Sequence, residues 1–276
     1  MAEKTIALDL PPYRGEVAAR FAGPSFAAAL GRFLDRADPA GAEVLFAGRN
    51  RILAAALPDA AGREVPVAIK EFRVRGLKRL IGFGRASKAE RAWRGALVLA
   101  GKGFATASPV AFAERRRLGA AGRGVFVAER ISGAREIRAL FREAEEAELR
   151  LLLAGLVPHL RRLHDAGLVH RDLSDGNILV LSAPPGAREF YFLDTNRVRS
   201  GRRPGPFGRA RGLVRLGVPP GLQSYFLALY AGAPGTVPLG RSLAFWYRAG
   251  KRAFSGWIRL KKALRLRKIA RALRIQ

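Results

Sequence analysis

A polar loop between an apolar helical segment and an apolar hairpin constrains this 276-residue chain more than any other feature. Residues 149–167, LRLLLAGLVPHLRRLHDAG, repeat leucine at helical spacing. Residues 177–194, NILVLSAPPGAREFYFLD, show two apolar runs around the Pro-Gly turn of a β-hairpin. The loop HRDLSDGN (170–177) joins them and gathers His, Arg, two Asp and Asn. The sequence therefore predicts a cluster of polar side chains between two elements that are both buried.

The part of the chain before this region predicts a sheet with one inserted helix. Residues 1–42 are interpreted as an irregular lead-in with one short helix around Phe26–Asp35, and residues 43–57 as two strands that meet at a turn near Gly48. Further strands are predicted at 65–74, 108–116 and 124–133. Ser87, with Glu90 three residues later, has the spacing of a capping box and predicts a helix from about Lys88 to Leu99.

This order of elements predicts an α+β fold with a small sheet-rich part followed by a larger, mainly helical part. We expect three divisions, namely a lead-in at 1–42, a sheet-rich lobe at 43–131 and a helical lobe at 132–276. Two helices are predicted between residues 136 and 166, and a further helical region follows the hairpin. A chain of this length has room for one large domain or two lobes.

Four polar positions follow one another in an order that suits phosphoryl transfer. Lys70 lies in a predicted strand, Asp172 and Asn177 are five residues apart in the polar loop, and Asp194 ends an apolar strand. Phosphoryl transfer needs an ammonium group for the phosphates, two oxygen ligands for Mg²⁺ and a carboxylate for the acceptor hydroxyl. Lys70 alone is equally typical of a buried strand lysine, and Asp194 alone of a hairpin cap. The loop is therefore the strongest part of this hypothesis.

The motifs VAIK (67–70), HRDLSDGNILV (170–180) and YFLDTNR (191–197) resemble those of the protein-kinase-like superfamily. Within it, the chain most resembles the bacterial lipopolysaccharide kinases that phosphorylate Kdo or heptose of the inner core. The resemblance covers roughly residues 43–200. It rests on DLSDGN in the catalytic loop, on Thr-Asn-Arg after Asp194, and on the segment 87–112. It implies a bilobal protein-kinase-like fold, with an antiparallel-sheet lobe and a mainly helical lobe.

The resemblance also implies a role for each matching residue. Lys70 would hold the phosphates of ATP, Asp172 would be the catalytic base, and Asn177 and Asp194 would bind Mg²⁺. His170 would brace the loop.

Two nucleotide-binding assignments depart from the family pattern. No G-x-G-x-x-G motif precedes Lys70, so the turn at Gly48 would have to cover the phosphates. Glu90 would orient Lys70, or it would only cap its helix. An alignment around Trp93 places the expected glutamate nearer Ala92.

The charge of the chain is strongly positive and unevenly distributed. Fifty Lys and Arg against 22 Asp and Glu give +28. Residues 1–194 carry 31 basic and all 22 acidic residues, whereas residues 195–276 carry 19 basic residues and no acidic ones. Such a charge favours phosphate-rich partners such as anionic lipid or nucleic acid. Cysteine is absent, which excludes disulfides and thiolate metal sites.

We therefore expect an ATP- and Mg²⁺-dependent kinase whose acceptor is an anionic glycolipid. The sequence contains no apolar run long enough to cross a membrane, and its N-terminus does not resemble a signal peptide. The resemblance implies a cytoplasmic protein peripheral to the inner membrane, in contact with its anionic surface. The basic C-terminus is interpreted either as this contact or as a solvated pair of helices. The alternatives are a protein kinase of the atypical ribosome-associated type and a catalytically silent adaptor that binds membrane or RNA.

Overall fold

The computed structural model describes residues 3–35, 42–48, 50–73, 84–117, 120–183, 187–232 and 237–273. The chain divides into two compact units. The first unit contains residues 1–134 and 179–199, and the second contains residues 135–178 and 200–276. The predicted boundary near residue 131 lies close to the end of the first segment, whereas the return of residues 179–199 to the first unit was not predicted.

A seven-stranded antiparallel sheet forms the base of the first unit. Its strands are β1 (Thr5–Leu10), β2 (Tyr13–Ala18), β3 (Glu43–Ala47), β4 (Arg51–Pro58), β5 (Glu64–Phe72), β6 (Pro109–Arg117) and β7 (Ala120–Glu129). They are ordered β1-β2-β6-β7-β5-β4-β3, and every neighbouring pair is antiparallel. Because β5 is an inner strand, both of its edges are paired. Lys70 lies opposite Ile52 of β4 and Phe126 of β7.

Two helices complete the core of the first unit. Helix α1 (Pro24–Asp35) buries Phe26, Leu30 and Leu34, which recur every four residues and so share one face. Helix α2 (Lys88–Gly101) begins as the capping box predicts, because the Ser87 hydroxyl oxygen accepts a hydrogen bond from the Glu90 backbone N–H at 3.0 Å. Trp93 of α2 is fully buried.

The second unit is mainly helical. Its helices are α3 (Ile137–Glu143), α4 (Glu146–Asp165), α5 (Pro206–Leu213), α6 (Gln223–Ala231) and α7 (Val237–Leu273). The remaining strands of the chain are β8 (Arg135–Glu136), β9 (Leu168–His170), β10 (Ile178–Ala183), β11 (Ala187–Phe192) and β12 (Val198–Ser200). The leucines of α4 that predicted a helix are buried, among them Leu152, Leu156, Leu160 and Leu163.

The hairpin of β10 and β11 carries the chain back to the first unit. There, the backbone N–H of Phe192 donates to the carbonyl oxygen of Ala105 at 3.0 Å. The hydroxyl of Thr106 donates to the carbonyl oxygen of Phe192 at 2.7 Å. These two bonds fix the end of β11 next to the inner part of the sheet, so the residues that follow β11 emerge at a defined place.

Two expectations about local structure were wrong. Residues 1–42 are not an irregular lead-in, because β1 and β2 form a hairpin whose second strand pairs with β6. The C-terminal pair of helices is instead the single 37-residue helix α7. Tyr247 of α7 is fully buried, whereas Trp246 and Trp257 are exposed. None of the helices in the described ranges is long and apolar enough to span a membrane.

Candidate active site

Lys70 and Asp194 form an ion pair in the first unit although 124 residues separate them in sequence. The distance from Lys70 Nζ to Asp194 Oδ1 is 2.5 Å, and each side chain is about four-fifths buried. Strand alternation puts Lys70 on the same face as Phe72, whose ring centre lies 5.6 Å from Nζ. The fold therefore joins the predicted phosphate-binding lysine and the predicted metal-binding aspartate.

Asp194 has a left-handed backbone conformation, with φ 55° and ψ 46°. It is the only non-glycine residue with positive φ in the described part of the chain. Such a conformation costs free energy and persists where the surroundings enforce it, often at functional sites. A one-turn 3-10 helix (Thr195–Arg197) follows, and Asn196 Nδ2 donates to Asp194 Oδ1 at 3.0 Å. Asp194 Oδ1 therefore contacts both Lys70 and Asn196.

Helix α2 holds this turn in place at very close range. The Thr195 hydroxyl donates to the carbonyl oxygen of Ala92 at 2.6 Å. One turn further along α2, a Cβ placed on Gly95 would overlap the carbonyl oxygen of Thr195. Only glycine leaves room for this approach of helix and turn. Gly95 is thus a positioning residue for Asp194, and no sequence motif indicated it.

The structure does not pair Glu90 with Lys70, so the interpretation of Glu90 as the orienting carboxylate is corrected. Glu90 Oε1 lies 2.5 Å from Arg94 Nη2, and Glu90 Oε2 lies 3.5 Å from Arg116 Nη2. Ala92 instead lines a small cavity of about 40 Å³ that Lys70 and Asp194 also line. With alanine at this position of α2, Lys70 takes its carboxylate partner from Asp194. Ser87 caps α2 through the backbone N–H of Glu90, while the Glu90 carboxylate itself contacts the two arginines.

Gly48 lies in the turn between β3 and β4, where the sequence placed it. Its backbone N–H donates to the carbonyl oxygen of Asn50 at 3.1 Å. A Cβ on Gly48 would come 2.8 Å from the ring of Phe46, so a larger residue would displace that exposed ring. Arg49 lies outside the described residues. Nucleotide binding by Gly48 stays a prediction.

The catalytic loop in the second unit is closed by its own hydrogen bonds. The backbone N–H of Asp172 donates to His170 Nδ1 at 3.3 Å, and His170 is buried. The carbonyl oxygen of Asp172 accepts from the Ser174 backbone N–H at 2.8 Å and from Asn177 Nδ2 at 2.7 Å. His170 and Asn177 therefore fix the backbone of Asp172 from both sides, as the bracing role of His170 implied.

Two arginines that sequence reasoning missed hold the carboxylates of this loop. Arg215 Nη2 lies 2.9 Å from Asp172 Oδ1. Arg138 of α3 donates to Asp175 Oδ1 from Nε at 3.1 Å and from Nη2 at 2.9 Å, and this hydrogen bonding raises the pKa of Arg138. The only sequence signal was indirect, because residues 173–176 contain no basic residue that could balance Asp172 and Asp175.

The two predicted metal ligands offer oxygens of the kind that Mg²⁺ prefers. Asn177 uses its amide N–H in the loop, so its carbonyl oxygen Oδ1 remains an acceptor. Asp194 has a second carboxylate oxygen, Oδ2, beyond the one that contacts Lys70 and Asn196. Carboxylate and amide oxygens suit a hard divalent cation. The donor set therefore fits the metal that the kinase motifs imply.

Three arginines gather beside the turn that contains Asp194. Arg91 of α2 is partly buried, and its pKa is lowered by this burial and by the positive charges of Arg199 and Arg197. Glu90, the acidic neighbour in this cluster, partly offsets the repulsion among these charges. Arg197 of this cluster is the arginine of the Thr-Asn-Arg motif that follows Asp194.

A buried polar network supports α4, the helix that leads to the catalytic loop. His164 Nδ1 lies 2.6 Å from the hydroxyl of Tyr230 on α6. Arg209 of α5 donates to the same hydroxyl at 3.2 Å and to Asp165 Oδ1 at 2.6 Å. Burial lowers the pKa of His164 to about 4, with a further contribution from Arg209. His164 is therefore a neutral structural residue at neutral pH.

Comparison with solved structures shows the fold. A structure described as WaaP in complex with acyl carrier protein matches with a TM-score of 0.55 and 19% sequence identity. The match covers 77% of this chain and 88% of that chain. No curated protein matches the sequence. The α+β, protein-kinase-like fold that the resemblance implied is confirmed.

A family model gives the stronger assignment. The model of the lipopolysaccharide kinase (Kdo/WaaP) family matches residues 78–217, which is just over half of the chain. The matched range contains the catalytic loop, Asp194 and Arg215, whereas Lys70 precedes it. The chain is therefore a member of the lipopolysaccharide kinase (Kdo/WaaP) family, a phosphotransferase that uses a nucleotide.

Proposed function

We propose that the protein transfers the γ-phosphoryl group of ATP to a sugar hydroxyl, on Kdo or heptose, of the lipopolysaccharide inner core. The observation that carries this proposal is the catalytic loop, in which His170 and Asn177 fix the backbone of Asp172 while its carboxylate keeps an oxygen without a hydrogen bond from the described residues. A carboxylate held in this way is suited to orient an acceptor hydroxyl.

In this proposal the reaction is an in-line displacement. The sugar oxygen forms a bond to the γ-phosphorus, the bond from that phosphorus to the bridging oxygen of ADP breaks, and the hydroxyl proton passes to Asp172. Lys70 exchanges its ion pair with Asp194 for the phosphates of the nucleotide. Asp194 and Asn177 are the proposed ligands of Mg²⁺, which would supply positive charge to offset that of the phosphates.

The acceptor is tested by incubating the purified protein with γ-labelled ATP and separate pools of inner-core glycolipid, RNA and cellular protein. Label is expected in the glycolipid pool only, and Asp172→Asn should abolish it. Label that appears only in the protein pool would favour a protein kinase of the ribosome-associated type. If no pool is labelled and Mg·ATP leaves the melting temperature unchanged, the chain is a silent adaptor.

We further propose that α7 contacts the anionic surface of the inner membrane from the cytoplasmic side. Residues 257–264 of α7 include four exposed apolar side chains, which are 39–54% accessible: Trp257, Ile258, Leu260 and Leu264. Lys261 and Lys262 lie among them, and Lys261 Nζ lies 5.2 Å from the centre of the Trp257 ring system. Exposed apolar side chains beside cations are typical of interfacial helices, in which each Lys or Arg contributes about 1 kcal/mol.

This contact is tested by sedimentation with vesicles of anionic or neutral phospholipid. We expect binding to anionic vesicles that weakens as salt rises, and a clear loss of binding for a Trp257→Ala, Leu260→Ala double variant. Arg202→Gln, which removes an exposed charge elsewhere in the second unit, serves as the control. Unchanged binding of the double variant would assign α7 a structural role only.

A further inference from the structure

Arg215 is presented directly to the proposed catalytic base. Its Nη2 lies 2.9 Å from Oδ1 of Asp172, while 46% of the Arg215 side chain is accessible against 19% for Asp172. The angles of this contact do not make a hydrogen bond, and Oδ1 is a buried atom with no hydrogen-bond donor in the described part of the chain. A buried carboxylate oxygen without a donor is unfavourable, so this oxygen is suited to accept a hydrogen bond from a ligand.

The segment that carries Arg215 is firmly supported on both sides. Leu216 and Val218 are buried, and the carbonyl oxygen of Leu216 accepts a hydrogen bond from Lys251 Nζ of α7 at 3.1 Å. On the other side, a Cβ on Gly217 would overlap Oδ2 of Asp175 in the catalytic loop. The guanidinium of Arg215 itself lies 5.7 Å from the ring centre of Phe254. The backbone at residue 215 is thus fixed while the side chain is free to change partner.

We expect Arg215 to exchange Asp172 for another anion, because Asp172 cannot bind Arg215 and the acceptor hydroxyl equally well. While Arg215 lies against Oδ1, that oxygen is shielded from the acceptor hydroxyl that it must orient. Arg215 can leave only if another anion compensates its charge, and the chain after Asp194 contains no acidic residue to do so. A guanidinium binds carboxylate or phosphate in a bidentate manner, which makes an incoming oxyanion a suitable replacement.

We propose that Arg215 binds an anionic group of the acceptor itself, a carboxylate or a phosphate carried near the reacting hydroxyl. This inference rests on the proposed function and narrows its acceptor to a sugar that is itself acidic or stands next to a phosphorylated sugar. The acceptor anion draws Arg215 away from Asp172, and Asp172 then receives the hydroxyl. An acceptor without this anion leaves the ion pair closed. Arg215 is therefore a specificity-determining residue.

The test compares wild type with Arg215→Gln, Arg215→Lys and the control Arg211→Gln, which removes a nearby exposed charge. The acceptors are the intact inner-core glycolipid, a form with its sugar carboxylates reduced to alcohols, and a form with its phosphates removed. For the intact acceptor, Arg215→Gln should raise KM about 10- to 100-fold and leave KM for ATP unchanged. The acceptor KM of Arg215→Lys should lie between those of wild type and Arg215→Gln, since lysine keeps the charge but loses the bidentate geometry.

The modified acceptors identify the source of the anion. Wild type should phosphorylate the form that lacks the recognised group poorly, and Arg215→Gln should not lower the turnover of that form any further. The form that behaves in this way identifies the recognised group as a carboxylate or a phosphate. If Arg215→Gln loses activity equally with every acceptor, or has a raised KM for ATP, then Arg215 contacts the transferred phosphoryl group and the inference is overturned. An unchanged acceptor KM at an unchanged melting temperature would also overturn it, by reducing Arg215 to a structural role.

A binding measurement without ATP separates this inference from the proposed function. Calorimetric titration of the intact glycolipid should give an affinity that falls about 10- to 100-fold in Arg215→Gln and stays constant in Arg211→Gln. If wild type binds the glycolipid in this Arg215-dependent way but transfers no phosphate, the reaction is wrong and the recognition stands. If wild type transfers phosphate but binding is the same in both variants, the recognition is wrong and the reaction stands.

Discussion

Asp194 and Asp172 are each paired with a cation, but the two ion pairs differ in how far they are enclosed. Lys70 and Asp194 are both about 80% buried, and Asn196 also donates to Asp194. Arg215 is nearly half exposed beside Asp172, and no donor among the described residues satisfies the shared oxygen. The Lys70–Asp194 pair is therefore enclosed within the first unit, whereas the Arg215–Asp172 pair is exposed enough for Arg215 to bind an anion from solvent instead.

The charge is also unevenly distributed along the sequence. Residues 1–194 carry a net charge of +9, and residues 195–276 carry +19 without any acidic side chain. An anion that approaches Arg215 therefore meets no carboxylate from that later part of the chain. In the first unit, by contrast, buried Glu71 lies 2.5 Å from Arg123, and Glu114 lies 2.5 Å from Arg116. Ion pairs of this kind stabilise the first unit, whereas the cations of residues 195–276 have no acidic residue within that segment.

The largest effect is expected when the two aspartates are replaced in turn. Asp172→Asn should lower kcat about 10²- to 10⁴-fold, because the proton acceptor is lost, and should keep the thermal stabilisation by Mg·ATP. Asp194→Asn should lose both activity and that stabilisation, because the charge that faces Lys70 and the metal is removed. Asparagine tolerates the left-handed conformation of residue 194, so the loss reports charge rather than backbone strain.

Phosphate transfer assays and thermal melts with and without Mg·ATP measure both variants. If Asp172→Asn also abolishes stabilisation by the nucleotide, Asp172 and Asp194 share one role, and the distinction between them is wrong. Retained stabilisation in Asp194→Asn would remove Asp194 from the metal site.

The buried network of the second unit predicts the next largest effect, on stability against pH. The pKa of His164 is about 4 in the folded chain, below its ordinary value of 6.5. As pH falls from 6.5 to 4, the unfolded chain binds a proton that the folded chain does not, so stability present above pH 6.5 is lost. The loss amounts to about 3 kcal/mol and levels off below pH 4.

Urea unfolding at pH 7, 5.5 and 4 measures this loss. His164→Gln should show a smaller fall than wild type, because glutamine cannot titrate. His159→Gln is the matched control on the same helix, where burial is only partial and the pKa is lowered less severely. Equal pH slopes for wild type and His164→Gln would show that the carboxylates, and not this histidine, set acid stability.

The close approach of α2 to the Asp194 turn predicts a smaller effect. Gly95→Ala would place a methyl group on the Thr195 carbonyl oxygen, so helix and turn must separate. We expect a destabilisation of about 1–3 kcal/mol, as for overpacked cores, together with weaker stabilisation by Mg·ATP. Gly101→Ala at the other end of α2 meets open space and is the control. If both variants melt alike, the first unit is less tightly packed around Asp194 than its geometry indicates.

Sequence reasoning succeeded where short-range patterns determine structure. The Ser87 cap is a contact across three residues, and the His170 and Asn177 contacts to Asp172 stay within one loop. It failed where distant segments meet. β1 and β2 were missed because Pro11 and Pro12, which lie between them, suggested a loop, while the strand that holds β2 in place, β6, lies about 95 residues further along the chain.

The residues around each aspartate show the same limit. Glu90 was a reasonable partner for Lys70 by type and order, but the rotation of α2 directs it to Arg94 and Arg116. Gly95 contacts Thr195 and Arg215 contacts Asp172. Both contacts join segments that are distant in sequence, so no local pattern encodes them. Sequence therefore predicts which residues carry the chemistry more readily than which residues position them.

The smallest expected effect concerns an exposed ion pair that shares a carboxylate with a buried one. Asp165 Oδ1 lies 2.9 Å from Arg203, which is 64% exposed, and 2.6 Å from Arg209, which is 6% exposed. Arg203→Gln should lower stability by less than about 1 kcal/mol, because water screens the pair and Arg209 continues to hold Asp165. Urea unfolding in low and high salt measures the change, with Arg202→Gln as the exposed neighbour without a role. A loss well above that of the control would mean that exposure does not weaken ion pairs in this unit. The exchange of partner proposed for Arg215, which is 46% accessible beside Asp172, would then have to overcome a stronger ion pair.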